Sequence, residues 1–352
     1  MKIIVPCCGS SSRFPGQPPK WTLASHDGRP MLLLALAGLP LALDDLVITI
    51  LREHEDRFDI VAGLKQAFGR AVKVVILDER TRSQSETVAR TLQRLELDEP
   101  FLIKDSDGYF ELDELQHDDN YVCVDSLNNF DAINPRNKSY SQVDERDVIT
   151  TIREKLVISD LFNVGGYYFN SPAQFLKYYE RLEHQRTEGS REIYVSDVIG
   201  AMLADDIVFR VRRTAGYQDW GTAGEWRRAL EARKTYFLMV DGFLFERGNR
   251  FFAPRFQDVK PHAKAVEATR SLAAAGHTIV YLSIRPESLH ALTHDQLQAA
   301  GLPGGTVVWN CPTSKWVLLT SPYWALPLAS GQWIETEPDD AHLPEIIGGR
   351  PS

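Results

Sequence analysis

The chain has 352 residues, with 39 Lys and Arg against 48 Asp and Glu and a formal net charge of −9. Apolar residues make up 43% and charged residues 25%, the balance of a globular protein long enough for about two domains. Collagen-like, disordered and disulfide-stapled architectures are excluded, and an acidic chain offers no overall field for a nucleic-acid backbone. Cys7 and Cys8 are adjacent while Cys123 and Cys311 stand alone, so no Cys-x-x-Cys zinc spacing exists. The opening MKIIVPCCGSSSR turns polar too soon for a signal peptide. The longest apolar stretch, Met31 to Leu43, falls short of the ~20 residues of a membrane helix and contains Gly38 and Pro40. The expected location is the cytoplasm, without a membrane or nucleic-acid partner.

In chain order, the predicted elements are a strand at Lys2–Pro6, a helix at Pro30–Leu39, a strand at Leu46–Leu51 and a helix at Arg57–Phe68. A strand at Val72–Leu77, a helix at Glu86–Leu95 and a strand at Phe101–Lys104 follow. Continuous Val/Ile/Leu runs between amphipathic helices imply a mostly parallel sheet covered on both faces. Ligands then bind beyond the carboxyl ends of the strands. A β-rich stretch comes next, with strands at Tyr121–Val124, Val148–Arg153 and Phe162–Phe169, then helices at Pro172–Glu183 and Trp226–Arg233. The α/β pattern then restarts with strands at Tyr236–Val240, Thr278–Leu282, Val307–Trp309 and Trp316–Leu319 and helices at Pro261–Ala275 and Ser288–Ala300. The boundary is expected near Ala232–Thr235, giving domains at 1–232 and 235–335 and an acidic tail at 336–352.

Three loops should converge on one crevice. After the first strand, GSSSRFPGQPPKW (Gly9 to Trp21) offers small residues whose backbone N–H groups can face phosphate oxygens, together with the cations Arg13 and Lys20. Such a sequence also suits a flexible surface loop. After the third strand, TRSQSETV (Thr81 to Val88) opens a helix; Gln84 and Ser85 can hydrogen-bond a base edge, or the serines simply cap the helix. After the fourth, KDSDGYF sets Asp105 and Asp107 on one side of an extended chain. That arrangement suits Mg²⁺, although Asp, Ser and Gly also form turns.

The order of GSSSR, PK, SQSETV and DSDGYF resembles the nucleotidylyltransferases that join nucleoside triphosphates to sugar phosphates and related compounds. Three later segments extend the likeness to about residue 230. IREK (Ile152–Lys155) resembles the family's Glu-Lys pair that holds the acceptor and its phosphate. NVGGYYF (Asn163–Phe169) resembles the strand of the acceptor pocket. DWGT (Asp219–Thr222) resembles the Asp-x-Gly-Thr motif whose Asp is the second metal ligand. The resemblance implies an α/β fold with a Rossmann-like N-terminal domain and a mixed, mostly parallel sheet. It assigns Arg13 and the backbone of Gly9, Ser10, Ser11 and Ser12 to the β- and γ-phosphates, and Lys20 to the α-phosphate. Asp107 and Asp219 go to Mg²⁺ with Asp105 as a candidate helper, Gln84 and Ser85 to the nucleotide, and Glu154, Lys155 and Gly166 to the acceptor. Two departures stand out: Ser11 replaces a usual glycine, and Ser106-Asp107-Gly108 replaces Gly-Asp-Asn.

The implied reaction is transfer of a nucleoside monophosphate, with CTP favoured, to a phosphorylated small molecule for capsule or other surface polysaccharide, with pyrophosphate released and a homo-oligomer as a candidate assembly. A non-catalytic nucleotide-binding scaffold and a bifunctional transferase–phosphatase are the alternatives. The second alternative arises because YFLMVDGFLFE (Tyr236 to Glu246) resembles the first motif of haloacid-dehalogenase-like (HAD-like) phosphatases, Asp-x-Asp-Gly. Asp241-Gly242 matches its second half, which puts Met239 at the nucleophile, where a thioether cannot form an aspartyl-phosphate. LSIRPE resembles the second motif, with Ser283 as its hydroxyl, and Thr320-Ser321 stand where a later acidic ligand is expected. This C-terminal HAD-like domain is therefore expected to be inactive. His290 and His294, four residues apart on a predicted helix, lack an evident third metal ligand.

Overall fold

The computed structural model describes residues 1–9, 11, 13–14, 17–25, 28–115, 118–130, 134–187, 190–247, 256–311, 336–338, 340 and 343. The expected roles of Ser10 and Ser12, the strand at Trp316–Leu319, Thr320-Ser321 and most of the tail lie outside these residues. The chain divides into two compact units, Met1–Trp226 and Arg227–Ser352.

The first unit runs β1 (Lys2–Pro6), α1 (Met31–Leu36), β2 (Leu46–Leu51), α2 (Arg52–Phe58), α3 (Ile60–Phe68), β3 (Lys73–Leu77), α4 (Gln84–Leu95) and β4 (Phe101–Lys104). It continues through β5 (Gly108–Glu111), β6 (Asn120–Ser126), β7 (Ser139–Val143), β8 (Ile149–Glu154) and β9 (Leu161–Phe169). After these come α5 (Pro172–His184), α6 (Val195–Leu203), β10 (Phe209–Arg213), β11 (Ala215–Asp219) and α7 (Ala223–Glu231). The main sheet has the order β10-β6-β9-β4-β1-β2-β3, with β7 joined to β9 and β8 to β7. β3, β2, β1 and β4 are parallel neighbours, as are β6 and β10, while β9 runs antiparallel to both β4 and β6.

Alternation along each strand splits the apolar residues between two cores. Ile4, Val47, Phe101 and Ile103 join one, whereas Ile3, Val5, Ile48 and Leu102 join the other. A strand buried on both sides must be apolar throughout, and each fully buried Ile, Val or Leu contributes about 1.5–3 kcal/mol. β1 pairs with β2 on one edge and with β4 on the other, so the chain changes direction across the sheet at β1/β4. The ends of these two strands therefore border the crevice where parallel sheets bind ligands.

The structure differs from the sequence reading in detail. The helix expected at Arg57–Phe68 is two helices that together begin earlier, broken at Asp59, whose φ is +49°. Neither proline nor glycine marks the break. The Glu55 carbonyl accepts the Asp59 N–H at 2.9 Å and the Glu55 carboxylate accepts the Val61 N–H at 2.8 Å, satisfying donors at the junction. α1 ends at Leu36, two residues before Gly38.

The second unit contains β12 (Thr235–Met239), α8 (Ala263–Ala274), β13 (Thr278–Leu282), α9 (His290–Ala299) and β14 (Thr306–Val308). Its strands form a parallel sheet in the order β12-β13-β14. Leu238, Val240, Ala265, Leu272, Tyr281 and Leu297 build a separate core. Among the described residues, no helix is long and apolar enough to cross a membrane.

Candidate active site

The loop after β1 is pinned to the sheet. Trp21 is buried and its indole N–H donates to the Cys7 carbonyl at 3.2 Å. Ser11 adopts φ +49°, in the left-handed region that glycine favours, which gives a physical reason for the usual glycine at this position. Its hydroxyl accepts the Lys20 N–H at 3.1 Å and its carbonyl accepts the Phe14 N–H at 2.7 Å. Gly9 is exposed, and a Cβ placed there would meet open space.

The two aspartates at the heart of the reading are brought together by a ribbon that the sequence did not announce. β11 pairs antiparallel with β5 so that Asp219 lies opposite Gly108, and the Trp220 N–H donates to the Asp107 carbonyl at 2.9 Å. Gly221 marks the meeting point. A Cβ there would stand 3.0 Å from Asp219 Oδ1, 3.3 Å from Asp107 Oδ2 and 3.4 Å from Arg13 Nη1. Each aspartate also has a lysine partner: Lys20 pairs with Asp107 Oδ2, and Lys138 with Asp219 Oδ2. Burial pushes the Asp107 carboxyl up, but the charge of Lys20, its hydrogen bond and Arg13 outweigh this and hold it below the ordinary carboxylate range. Asp105 moves the other way, raised first by burial and then by the charge of Asp107.

Asp105 has partners of its own. Its Oδ1 accepts from Gln84 Nε2 at 2.5 Å and its N–H donates to the Gly165 carbonyl at 2.8 Å. Gly165 has φ +86°, and a Cβ there would land on the Asp105 carboxylate, so close approach demands glycine. Beneath the loop, the buried Lys104 ammonium donates to the carbonyls of Asp105 (2.8 Å) and Gly108 (2.6 Å). Desolvation lowers its pKa to about 8.

The remaining expected residues divide. Glu154 Oε2 accepts from Ser139 Oγ at 2.6 Å and Ser196 Oγ at 2.8 Å. Lys155, at φ +56°, donates to the Tyr194 hydroxyl at 2.6 Å. Gln84 is engaged with Asp105. Ser85 is fully buried and donates to the Ile193 carbonyl at 2.6 Å, so it packs the start of α4 and does not face the crevice. Gly166 lies on β9 opposite Lys104, where a Cβ would press to 2.7 Å on Cys123 Sγ and Phe110 Cζ; this explains its glycine by packing. Sequence reasoning missed Lys138 and Lys104. Lys138 stands 81 residues from Asp219 without a motif, and Lys104 reads as the polar end of a strand.

No protein-family model matches the chain, and no curated protein matches it. Solved structures do. A nucleoside-diphosphate-sugar pyrophosphorylase from Vibrio cholerae aligns with a TM-score of 0.55 and 19% identity, over 65% of this chain and 99% of that one. A candidate glucose-1-phosphate thymidylyltransferase from Bacillus anthracis aligns at 0.53 and 19%, over 66% and 94%. What the chain shares with them is the fold.

In the second unit, Asp241 follows β12 and is met by Arg285, which donates through Nε at 2.9 Å and Nη2 at 2.8 Å to Oδ1. Arg285 Nη1 donates to Thr293 Oγ1 at 3.2 Å and Gln296 Oε1 at 2.6 Å, and the guanidinium lies 4.8 Å from the Phe256 ring centroid. Ser283 is fully buried and its hydroxyl accepts the Arg285 N–H at 3.2 Å. The His290 and His294 rings lie 4.4 Å apart between centroids with their planes tilted by 46°, and His290 lies 5.2 Å from Trp309. Among the described residues, no group of three or more His, Cys, Asp or Glu side chains is arranged to hold a metal ion.

Proposed function

We propose that the N-terminal unit is a nucleotidyltransferase that moves a nucleoside monophosphate from a nucleoside triphosphate to a phosphorylated small molecule. The observation that carries this reading is the convergence of Asp107, Asp219 and Arg13 at Gly221, with Lys20 on Asp107. In the reaction, an oxygen of the acceptor phosphate attacks the α-phosphorus. A new P–O bond forms as the bond to the β-phosphate's bridging oxygen breaks, and pyrophosphate leaves with that electron pair. No covalent enzyme intermediate is needed; the barrier falls through positioning and charge neutralisation. Arg13 and the Gly9–Ser12 backbone serve the β- and γ-phosphates, Lys20 the α-phosphate, and Glu154 and Lys155 the acceptor.

Asp107 and Asp219 would hold Mg²⁺. Two carboxylate oxygens facing one vacant Cβ position fit this ion, which commonly takes one or two carboxylates and completes its shell with waters and substrate phosphates. When bound, it would neutralise charge on the triphosphate. Within this reading CTP is the favoured donor, because the Pro19-Lys20-Trp21 loop and the added C-terminal unit depart from the glucose-1-phosphate thymidylyltransferase pattern. Synthesis of capsule or other surface polysaccharide is the favoured role. The C-terminal unit is read as HAD-like in origin and inactive, since Met239 stands at the nucleophile's position and Asp241 is bound to Arg285. The test is product formation from each of the four nucleoside triphosphates against a panel of sugar, polyol and amino-alcohol phosphates. Chromatography of the activated product identifies donor and acceptor together, and a base other than cytosine would correct the CTP assignment.

A further inference from the structure

Lys138 sits just before β7 and belongs to both halves of the crevice. Its ammonium pairs with Asp219 Oδ2, donates to the Tyr217 hydroxyl at 2.5 Å and lies 4.9 Å from the Tyr217 ring centroid. Only 9% of the side chain is exposed. Its main chain reaches the other side. The Lys138 carbonyl accepts the Lys155 N–H at 2.9 Å, and the next residue, Ser139, lies opposite Glu154 in the β7–β8 ladder. The carboxylate that would take a cation and the Glu-Lys pair that would take the acceptor are therefore joined through one lysine.

The geometry of Asp219 lets that lysine leave. Oδ1 accepts the Gly221 N–H at 2.9 Å, so the carboxylate keeps its orientation on the backbone while Oδ2 alone faces Lys138. A lysine carries a compact charge on a flexible stem, unlike the bidentate fork of an arginine. A sparsely exposed carboxylate without a counter-charge is costly, and the ammonium removes that cost while the crevice is empty. An acceptor phosphate offers the same ammonium a stronger negative partner.

We propose that Lys138 exchanges partners. It neutralises Asp219 when no cation is bound there, and its ammonium passes to the acceptor's phosphate when a divalent cation binds the Asp219 carboxylate. This rests on the reading of the crevice as a nucleotidyltransferase site and adds a further cation to it beside Arg13, Lys20 and Lys155. Cation binding at Asp219 and acceptor binding then favour each other, because each releases the group that the other needs.

The test uses the full chain with Lys138→Met and Lys138→Arg. Mn²⁺ binding is measured without nucleotide by electron paramagnetic resonance. Removing the competing charge is expected to tighten Mn²⁺ binding about tenfold in Lys138→Met, while Lys138→Arg, which keeps the charge and adds a fork that grips a carboxylate more firmly, should not tighten it. Steady-state kinetics should show the acceptor KM of Lys138→Met raised about tenfold or more, with the triphosphate KM within about twofold. Lys138→Gln repeats both measurements should Lys138→Met fail to fold, as judged by circular dichroism. Unchanged or weaker Mn²⁺ binding in a folded neutral variant overturns the counter-ion role, and a KM rise confined to the triphosphate overturns the acceptor role. Absence of transfer by the unsubstituted chain overturns the enzymatic reading and the acceptor role with it. The Mn²⁺ affinities then still decide whether Lys138 is the counter-ion of Asp219.

Discussion

Each unit sets an aspartate beyond a parallel strand against a cation, and the two do so in opposite ways. In the first, Lys20 and Asp107 keep side-chain exposures of 18% and 16%, and the contact uses a single carboxylate oxygen. In the second, Arg285 and Asp241 are at 0% and 1%, with two guanidinium nitrogens on the carboxylate and the third on Thr293 and Gln296. A carboxylate at a strand end can serve chemistry when its counter-ion is able to leave. Where a planar guanidinium is fixed from all sides, the same residue type becomes part of the core. Strand-end aspartates alone do not distinguish these cases; the neighbouring cation and its freedom do.

The largest effect separating the two regions should be on stability. Arg285→Ala leaves the Asp241 charge buried and unpaired, and is expected to cost about 3–5 kcal/mol. The double variant Arg285→Met/Asp241→Leu should lose far less, since both charges go together. Denaturant unfolding followed by circular dichroism measures both; a single-variant loss below about 1 kcal/mol would show that the pair is not locked. The same locking predicts no sustained phosphate release by the full chain from phosphatase substrates or its own acceptors, with or without Mg²⁺. Turnover abolished by Asp241→Asn but not by Asp107→Asn would make the second unit an enzyme.

On the open side, Lys155→Ala should raise the acceptor KM about tenfold while leaving the triphosphate KM within about twofold. Loss of triphosphate affinity with acceptor affinity intact would reverse its role. The smallest effect concerns Asp105. Burial and Asp107 raise its folded pKa above the unfolded value of about 3.9, so its ionisation opposes folding at neutral pH. The contribution favouring folding is fully present below the unfolded pKa and is lost as pH rises through the folded one. Asp105→Asn keeps an oxygen for Gln84 and should stabilise the chain at pH 7 by about 1 kcal/mol, or roughly 2–4 °C in Tm. The gain should fade as pH falls toward 4; a gain that is constant with pH would contradict the assignment.

Much of the first unit could be read from local pattern. Leu46–Leu51 and Phe101–Lys104 have the observed limits because strands buried on both faces leave unbroken apolar runs. The DSDG and DWGT segments led to Asp107 and Asp219, which the fold brings together. The ribbon that joins them was not readable: GYFE and AGYQD are short, mixed in polarity and far apart in sequence. The surroundings of Ser85 were not readable either, because its hydroxyl donates to Ile193, a partner 108 positions away. Lys138 carried no signal for the same reason, since its importance comes from the β7–β8 ladder and from Asp219.

The most direct test of the central claim is acceptor-dependent pyrophosphate release by the full chain beside Asp107→Asn and Asp219→Asn, at saturating Mg²⁺. Removing one carboxylate charge forfeits several kcal/mol of transition-state stabilisation, so each variant should release pyrophosphate at least ~100-fold more slowly. Full activity in both variants, or no release from any pairing of triphosphate and phosphorylated acceptor, would contradict the account.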